Sequence, residues 1–442
     1  MIFKRKLYAQ MLQWKQTRNG ATALLLQGAR RVGKSTLATQ FAQQEYKSYI
    51  LLDFAESSTE IDELFDNIRD LDYFFFRLQN LFHTPLYKRE SVIIFDEIQL
   101  KPLARQAIKY LVKDGRYDYI ETGSLLSIKK NVQHIVIPSE ETRMTLYPMD
   151  FEEFRWALAD ENTVPFMKQA FEAKREMGQA VHRQWMRDIR VYALVGGMPQ
   201  SVQAYLSTND LQQVDAVKRE IIQLYDDDFH KIDGSGTASR LFMDIPAQLT
   251  SNANRYMVYS VTERRLNAAT KAIIREMQDS QVIHIAYQAN DPQVGMPLSR
   301  DTDRYKMFLA DTGLFLTLAF WDKDYTENII YQQLLSDKLS VNLGYVYENL
   351  VAQMLRTKGD ELFYYTFPAE NNHNYEIDFL LSRGNKLVPI EVKSSGYKTH
   401  KSLDVFCDKY SSRIGERVLL YTKDYCKDGQ TTCVPVYFTP FL

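Results

Sequence analysis

The stretch Gly28-Ala29-Arg30-Arg31-Val32-Gly33-Lys34-Ser35 fits the pattern G-x-x-x-x-G-K-[ST] without a mismatch, and nothing else in the chain limits its folding choices as strongly. The pattern works only where a buried strand runs into a tight loop and the loop opens a helix. Both flanks comply. Ala23-Leu24-Leu25-Leu26 is a short apolar run of buried-strand type, and Thr36 to Phe41 reads as the opening of a helix. Glycines at 28 and 33 let the backbone wrap close to phosphate, and successive N–H groups plus a helix N-terminus lend the loop positive potential. Gly28, Ala29, Arg30, Arg31, Val32, Gly33, Lys34, Ser35 and Thr36 therefore form the expected cradle of a nucleoside triphosphate. Lys34 would reach the outer phosphates and Ser35 would ligate Mg2+.

A second apolar run, Val92-Ile93-Ile94-Phe95, ends directly in Asp96-Glu97. At the carboxyl end of a parallel strand, Asp96 would face the Mg2+ held by Ser35, while Glu97 would polarise a water toward the γ-phosphate. A further strand, Tyr117 to Ile120, leads into Glu121-Thr122-Gly123-Ser124 and brings two hydroxyls to the same edge. Thr122 or Ser124 would contact the γ-phosphate or the attacking water; the alternative is a turn whose hydroxyls serve local backbone bonds. Arg143 is the best-placed later arginine for a charge-stabilising finger, in cis or in trans.

At 442 residues the chain is too long for one ordinary core, so two to four domains are expected. Its formal net charge of −2 supplies no overall polycation, and any nucleic-acid contact must come from local patches. The three cysteines, Cys407, Cys426 and Cys433, lack paired metal-ligand spacing and argue against a disulfide framework. A reducing cytoplasm fits, since no apolar run has the length of a signal peptide core or a membrane span.

From residue 21 to 148 short apolar runs alternate with helical stretches, the last of the runs being Met144 to Tyr147; this is the pattern of a parallel sheet covered by helices. Residues 1–150 are the expected nucleotide-binding core and 151–232 a helical lid or connector. In 233–303, Leu266, Ala269, Ile273 and Met277 recur at helical spacing before the strand Val282 to Ala286, which suggests a winged helix. Arg255, Arg264, Arg265, Lys271 and Arg275 give that segment charge for phosphate contact, whereas His284 reads as a core or edge histidine.

Residues 304–442 carry a second constellation. Glu361 to Tyr365, Tyr375 to Leu381 and Val388 to Lys393 read as strands, and Glu391 and Lys393, two apart, project from one face. If the strands of Asp378 and Glu391 pair as a hairpin, two carboxylates and an ammonium converge, a Mg2+ site with a lysine to orient water for phosphodiester hydrolysis. Glu348 would supply a further acid, and the alternative is a solvated strand face. Lys393, Lys398, His400 and Lys401 make the best basic patch beside it.

Taken with Asp96-Glu97-Ile98-Gln99, Thr122-Gly123-Ser124, Pro148 to Phe154, Gly196-Gly197-Met198-Pro199, Lys306 through Leu314, Tyr347-Glu348-Asn349 and Glu376 to Phe379, these marks run across nearly the whole chain. The chain resembles prokaryotic AAA-type ATPases whose C-terminal domain is similar to the PD-(D/E)xK restriction-endonuclease fold. The resemblance implies an α/β architecture: a P-loop parallel-sheet ATPase with a helical lid, a winged-helix segment and a restriction-endonuclease-like α/β domain at the C-terminus. It implies ATP and Mg2+ as cofactors, with Lys34, Asp96, Glu97 and Ser124 in hydrolysis and Asp378, Glu391 and Lys393 as a nuclease-like site whose metal rests on Asp378 and Glu391. The leading expectation is an ATPase whose C-terminal domain binds DNA and cleaves it. The alternative is a nucleotide-dependent switch or protein-remodelling ATPase, with that domain as a non-catalytic docking module. A protein partner and a homo-oligomer are compatible with either, and no membrane is expected.

Overall fold

The computed structural model describes residues 1–56, 58–65, 68–123, 139–251, 254–322, 329–336, 344–369 and 373–442. They fall into two units, Met1–Pro148 with Asp279–Gln281, and Met149–Gln278 with Val282–Leu442.

In the first unit the strands β1 (Ala23–Gln27), β2 (Ser48–Asp53), β3 (Ser91–Asp96), β4 (Asp118–Gly123) and β5 (Glu141–Thr145) form one parallel sheet in the order β2-β3-β4-β1-β5. β3 and β4 are buried from end to end, as strands covered on both faces are; β3 is a near-continuous apolar run, whereas β4 buries Asp118, Glu121 and Thr122 among its apolar residues. Among the described residues five helices accompany them: α1 (Leu7–Arg18), α2 (Lys34–Glu45), α3 (Thr59–Leu64), α4 (Leu71–Leu81) and α5 (Pro102–Asp114). α5 shows why such segments are helical. Pro102 opens it, Ala104, Ala107, Ile108 and Leu111 line its buried face, and Gly115 at φ 73° ends it. Because β4 lies between β1 and β3, the loop after β1, the acidic pair at the end of β3 and Thr122 near the end of β4 share one edge of the sheet.

The last strand differs from the expected Met144–Tyr147. β5 starts at Glu141, so that Glu141 to Thr145 lie beside Ala23 to Gln27. The polar opening Glu141-Thr142-Arg143 looks like a loop in sequence. Within it only the Glu141 side chain is buried, held by Arg105 of α5, whose guanidinium, 1 % exposed, pairs with Glu121 at 2.8 Å and Glu141 at 2.9 Å.

The second unit opens with helices α6 (Phe151–Ala157), α7 (Thr163–Ala173), α8 (Gln179–Val195), α9 (Pro199–Thr208) and α10 (Leu211–Ile232). A capping box between Asp150 and Glu153 fixes the start of α6. Shorter helices follow, α11 (Thr237–Met243), α12 (Ile245–Thr250) and α13 (Val258–Thr262), then α14 (Ala268–Asp279), which begins later than its apolar spacing suggests. β6 (Ile283–Ala289) and β7 (Arg300–Leu309) pair antiparallel, with a bulge at Tyr287/Gln288. β6 also pairs in parallel with β8 (Phe363–Pro368), so the β6–β7 hairpin is part of a larger sheet.

Helices α15 (Thr312–Ala319), α16 (Ile329–Ser336) and α17 (Gly344–Lys358) precede β8. The segment Tyr375 to Leu381, which reads as one strand, is two: β9 (Asn374–Ile377) completes the sheet β7-β6-β8-β9, while β10 (Phe379–Arg383) starts a second sheet. β11 (Lys386–Val392), helix α18 (Lys401–Lys409), β12 (Arg417–Tyr421), β13 (Cys426–Asp428) and β14 (Thr431–Pro435) complete that sheet in the order β10-β11-β12-β14-β13. Among the described residues no helix is long and apolar enough to cross a membrane.

Candidate functional site

The edge of the first sheet brings the nucleotide motif together. Gly33, at φ 95°, turns the loop into α2, which begins at Lys34. Gly28 passes against the carbonyl of Leu146, where a Cβ would collide with it. Lys34, 6 % exposed, donates from Nζ to the carbonyls of Gly28 at 3.1 Å and Ala29 at 3.0 Å. Burial lowers its pKa, opposed by the negative charges of Glu97 and Asp96. A lysine curled back on its own loop is ready to exchange two carbonyls for phosphate oxygens.

Asp96 collects the hydroxyls. Ser35 Oγ donates to Asp96 Oδ1 at 2.7 Å, Thr122 Oγ1 donates to the same oxygen, and Glu97 N donates to Thr122 Oγ1 at 3.4 Å. Glu97 sits in the left-handed region at φ 52°, and its carboxylate accepts from the side-chain amide of Gln99. Ser35 and Asp96 are thus in direct contact, a hydroxyl and a carboxylate of the kind that hold Mg2+ beside a triphosphate, so the residues fit that ion. When bound, Mg2+ supplies charge neutralisation at the phosphates; the chain itself supplies the Lys34 ammonium, the loop N–H groups and the Glu97 carboxylate. Ser124 lies outside the described residues. Arg143 is half exposed, and its Nε lies 3.5 Å from Glu141.

Two residues of this site escape sequence reasoning. Arg5, 7 % exposed, donates from Nη1 to Val32 O at 3.0 Å and from Nη2 to Tyr147 O at 2.6 Å, clamping the phosphate loop to the strand exit across separations of 27 and 142 residues. No local pattern marks it. Gln99 stood in the quoted quartet, but only the turn after Glu97 shows that its amide reaches back.

In the second unit β10 and β11 pair antiparallel, Phe379 opposite Ile390, which puts Asp378 next to Glu391. Asp378 occupies the break between β9 and β10, and its Oδ2 accepts from Val392 N at 2.7 Å. Burial, then the charges of Glu348, Glu376 and Glu391 against that of Lys306, push its carboxyl well above the usual range. Lys393 Nζ lies 2.8 Å from Glu391 Oε1. Burial works against its ammonium form, but Glu391 outweighs it and the pKa is raised. Lys306 of β7 pairs with Glu376 and lies 3.6 Å from Glu348 Oε2. Its pKa too is raised, Glu376 and Glu348 overcoming burial. Asp378, Glu391, Lys393 and Glu348 are brought into one neighbourhood, but among the described residues no group of three or more His, Cys, Asp or Glu is arranged to hold a metal ion. The donor set at Asp378 and Glu391 therefore does not fit a metal as it stands.

The surrounding basic patches are partly neutralised. His400 is held between Asp404 at 2.9 Å and Asp428 at 3.3 Å, and Lys271 pairs with Asp303. His284 is buried in β6, and burial drives its pKa down to about 3, as suits a core histidine.

The parallel sheet, the glycine loop and the Ser35–Asp96–Thr122 contacts define an AAA-type P-loop ATPase domain. Residues 21–155 match the AAA domain family, residues 186–325 match a domain of unknown function (DUF8612), and residues 343–438 match another (DUF4143). No curated protein matches. Among solved structures the chain is similar to the Walker-type ATPase PABY2304 of Pyrococcus abyssi, at 17 % identity over 72 % of this chain and 96 % of that one, with a TM-score of 0.41. It is also similar to Cdc6p from Pyrobaculum aerophilum, at 10 % identity over 77 % and 97 % of the two chains with a TM-score of 0.27. For the Thermotoga maritima RuvB Holliday junction branch migration motor the values are 12 %, 64 %, 89 % and 0.28. Likeness of this degree says nothing of substrate.

Proposed function

We propose that the chain is a nucleotide-dependent switch, in which ATP is bound and hydrolysed at the edge of the first sheet and the C-terminal nuclease-like fold docks a partner rather than cutting nucleic acid. Lys34 and the loop N–H groups would bind the triphosphate, Ser35 and Asp96 would hold Mg2+, and Glu97, aimed by Gln99, would draw the proton from the attacking water. Thr122 would report the state of the phosphate through its contacts to Asp96 and Glu97. Occupancy of the site would shift the population of arrangements available to the second unit.

One observation carries the docking half of the reading. The carboxylates that a nuclease would offer to a metal are already engaged, Asp378 by Val392 N, Glu391 by Lys393 and Glu348 by Lys306. The sequence α17–β8–β9–β10–β11–α18–β12, with Asp378, Glu391 and Lys393 adjoining, is the observation in favour of cleavage as the second reading. Incubation of supercoiled and linear DNA with the purified protein, Mg2+ or Mn2+, and with or without ATP separates the two. The docking reading expects ATP turnover and intact DNA. Metal-dependent cutting that Asp378→Ala and Lys393→Ala both abolish would replace it with the nuclease reading.

A further inference from the structure

The second unit gathers four carboxylates, Glu348, Glu376, Asp378 and Glu391, and all four lie on the stretch from α17 to β11. One compensating charge, Lys393, comes from the end of the same stretch, but the other comes from elsewhere. Lys306 projects from β7, is 8 % exposed, pairs with Glu376 and lies 3.6 Å from Glu348 Oε2. With Glu348 and Glu376 it lines a cavity of about 240 Å³ to which Gln248, Arg255 and Tyr256 also contribute. Glu391, 4 % exposed, keeps Oε2 buried without a hydrogen-bond partner. Lys306 and Lys393 are the ammonium groups set among these acids, with Arg255 on the wall of the same cavity, so the carboxylates depend on these few cations. A buried carboxylate without a counter-charge is costly, so the cluster has a standing demand for cations.

We propose that Lys306 is the resident cation of this cluster, a tethered ammonium that takes the place of a divalent ion and keeps the site closed to one. The inference rests on the docking reading, because a cluster already served by its own lysine has no need of a metal. An ammonium on a strand outside the acidic stretch also ties β7 to β9 and α17 by charge, which would hold the docking surface in one form.

The test uses the full chain without nucleotide and Mn2+ as the probe, with binding followed by calorimetry and by the Mn2+-induced shift in Tm. Lys306→Met removes the charge and nearly keeps the stem, and should bind about one Mn2+ per chain more than the parent and gain Tm with the ion. Lys306→Arg should behave as the parent, and Lys306→Met/Asp378→Ala should lose the gain. If Lys306→Met does not fold, Lys306→Met/Glu376→Gln removes both members of the pair and should show the same gain. Equal Mn2+ binding by parent and charge-removed protein, with DNA uncut by either, would overturn the role of Lys306 and leave the docking reading standing. Mn2+ binding by the parent that Asp378→Ala abolishes, together with cleavage of DNA, would overturn both.

Discussion

Asp96 gathers Ser35 and Thr122 on a single oxygen, and Glu97 beside it is steered by Gln99, so the chemistry of the first unit is concentrated in side chains that touch one another. Gln99 is a positioning residue, because it reaches the water only through Glu97. Gln99→Leu, which keeps bulk and removes the donor, is expected to lower kcat roughly tenfold or more while leaving nucleotide affinity unchanged. Steady-state turnover beside equilibrium binding checks this, and a parallel loss of affinity would assign Gln99 to loop folding instead. Lys34, Ser35, Asp96 and Glu97 were legible in the sequence because each sits at a fixed offset from an apolar run. Arg5 was not, since a guanidinium that clamps Val32 and Tyr147 carries no spacing signal.

Elements were legible where burial is complete and harder to read where a strand changes partners. β1 and β3 announce themselves as apolar runs, whereas the single strand read from Tyr375 to Leu381 divides at Asp378, whose side chain caps Val392 N and lets the chain pass between sheets. The motif Gly196-Gly197-Met198-Pro199 gains its meaning only from contacts distant in sequence. Gly197 N donates to Asp311 Oδ2 at 2.5 Å, Met149 N donates to Gly197 O at 2.7 Å, and a Cβ at 197 would run into the Met149 carbonyl. Asp311 also caps α15 through Leu314 N at 2.9 Å, so one buried carboxylate fastens the exit of α8 to the start of α15. Gly197→Ala should destabilise the second unit by roughly 2–3 kcal/mol, because the clash is with backbone and cannot be relieved by a rotamer. Chemical denaturation measures the loss, and a stability within error of the parent would show that this contact yields.

Across the whole chain, the formal charge of −2 conceals ionic groups placed well inside. In the second unit Lys218, fully buried, donates to Leu194 O at 2.8 Å and lies 3.9 Å from Asp215. Burial, opposed by Asp215 and Asp311, brings its pKa from 10.5 down to about 8. Between about pH 8 and 10.5 the unfolded chain therefore holds a proton at this lysine that the folded chain has released, and this term raises stability as pH climbs through that window. Tyrosines with raised pKa values act in the opposite sense near the upper end, so the test is the difference between the parent and Lys218→Met. The parent should gain stability relative to the variant from pH 8 to 10.5, and a constant difference would place the lysine's folded-state pKa near its ordinary value. Composition could not disclose such groups, because a lysine destined for a core looks the same in sequence as one on the surface.

The central claim is that ATP is turned over at Lys34, Asp96 and Glu97, and steady-state hydrolysis with Mg2+ by the parent, Lys34→Ala and Glu97→Gln, beside nucleotide binding by each, tests it most directly. The parent should hydrolyse ATP, Glu97→Gln should bind ATP and hold it uncleaved, and Lys34→Ala should do neither. Hydrolysis that survives either substitution would contradict the site described here.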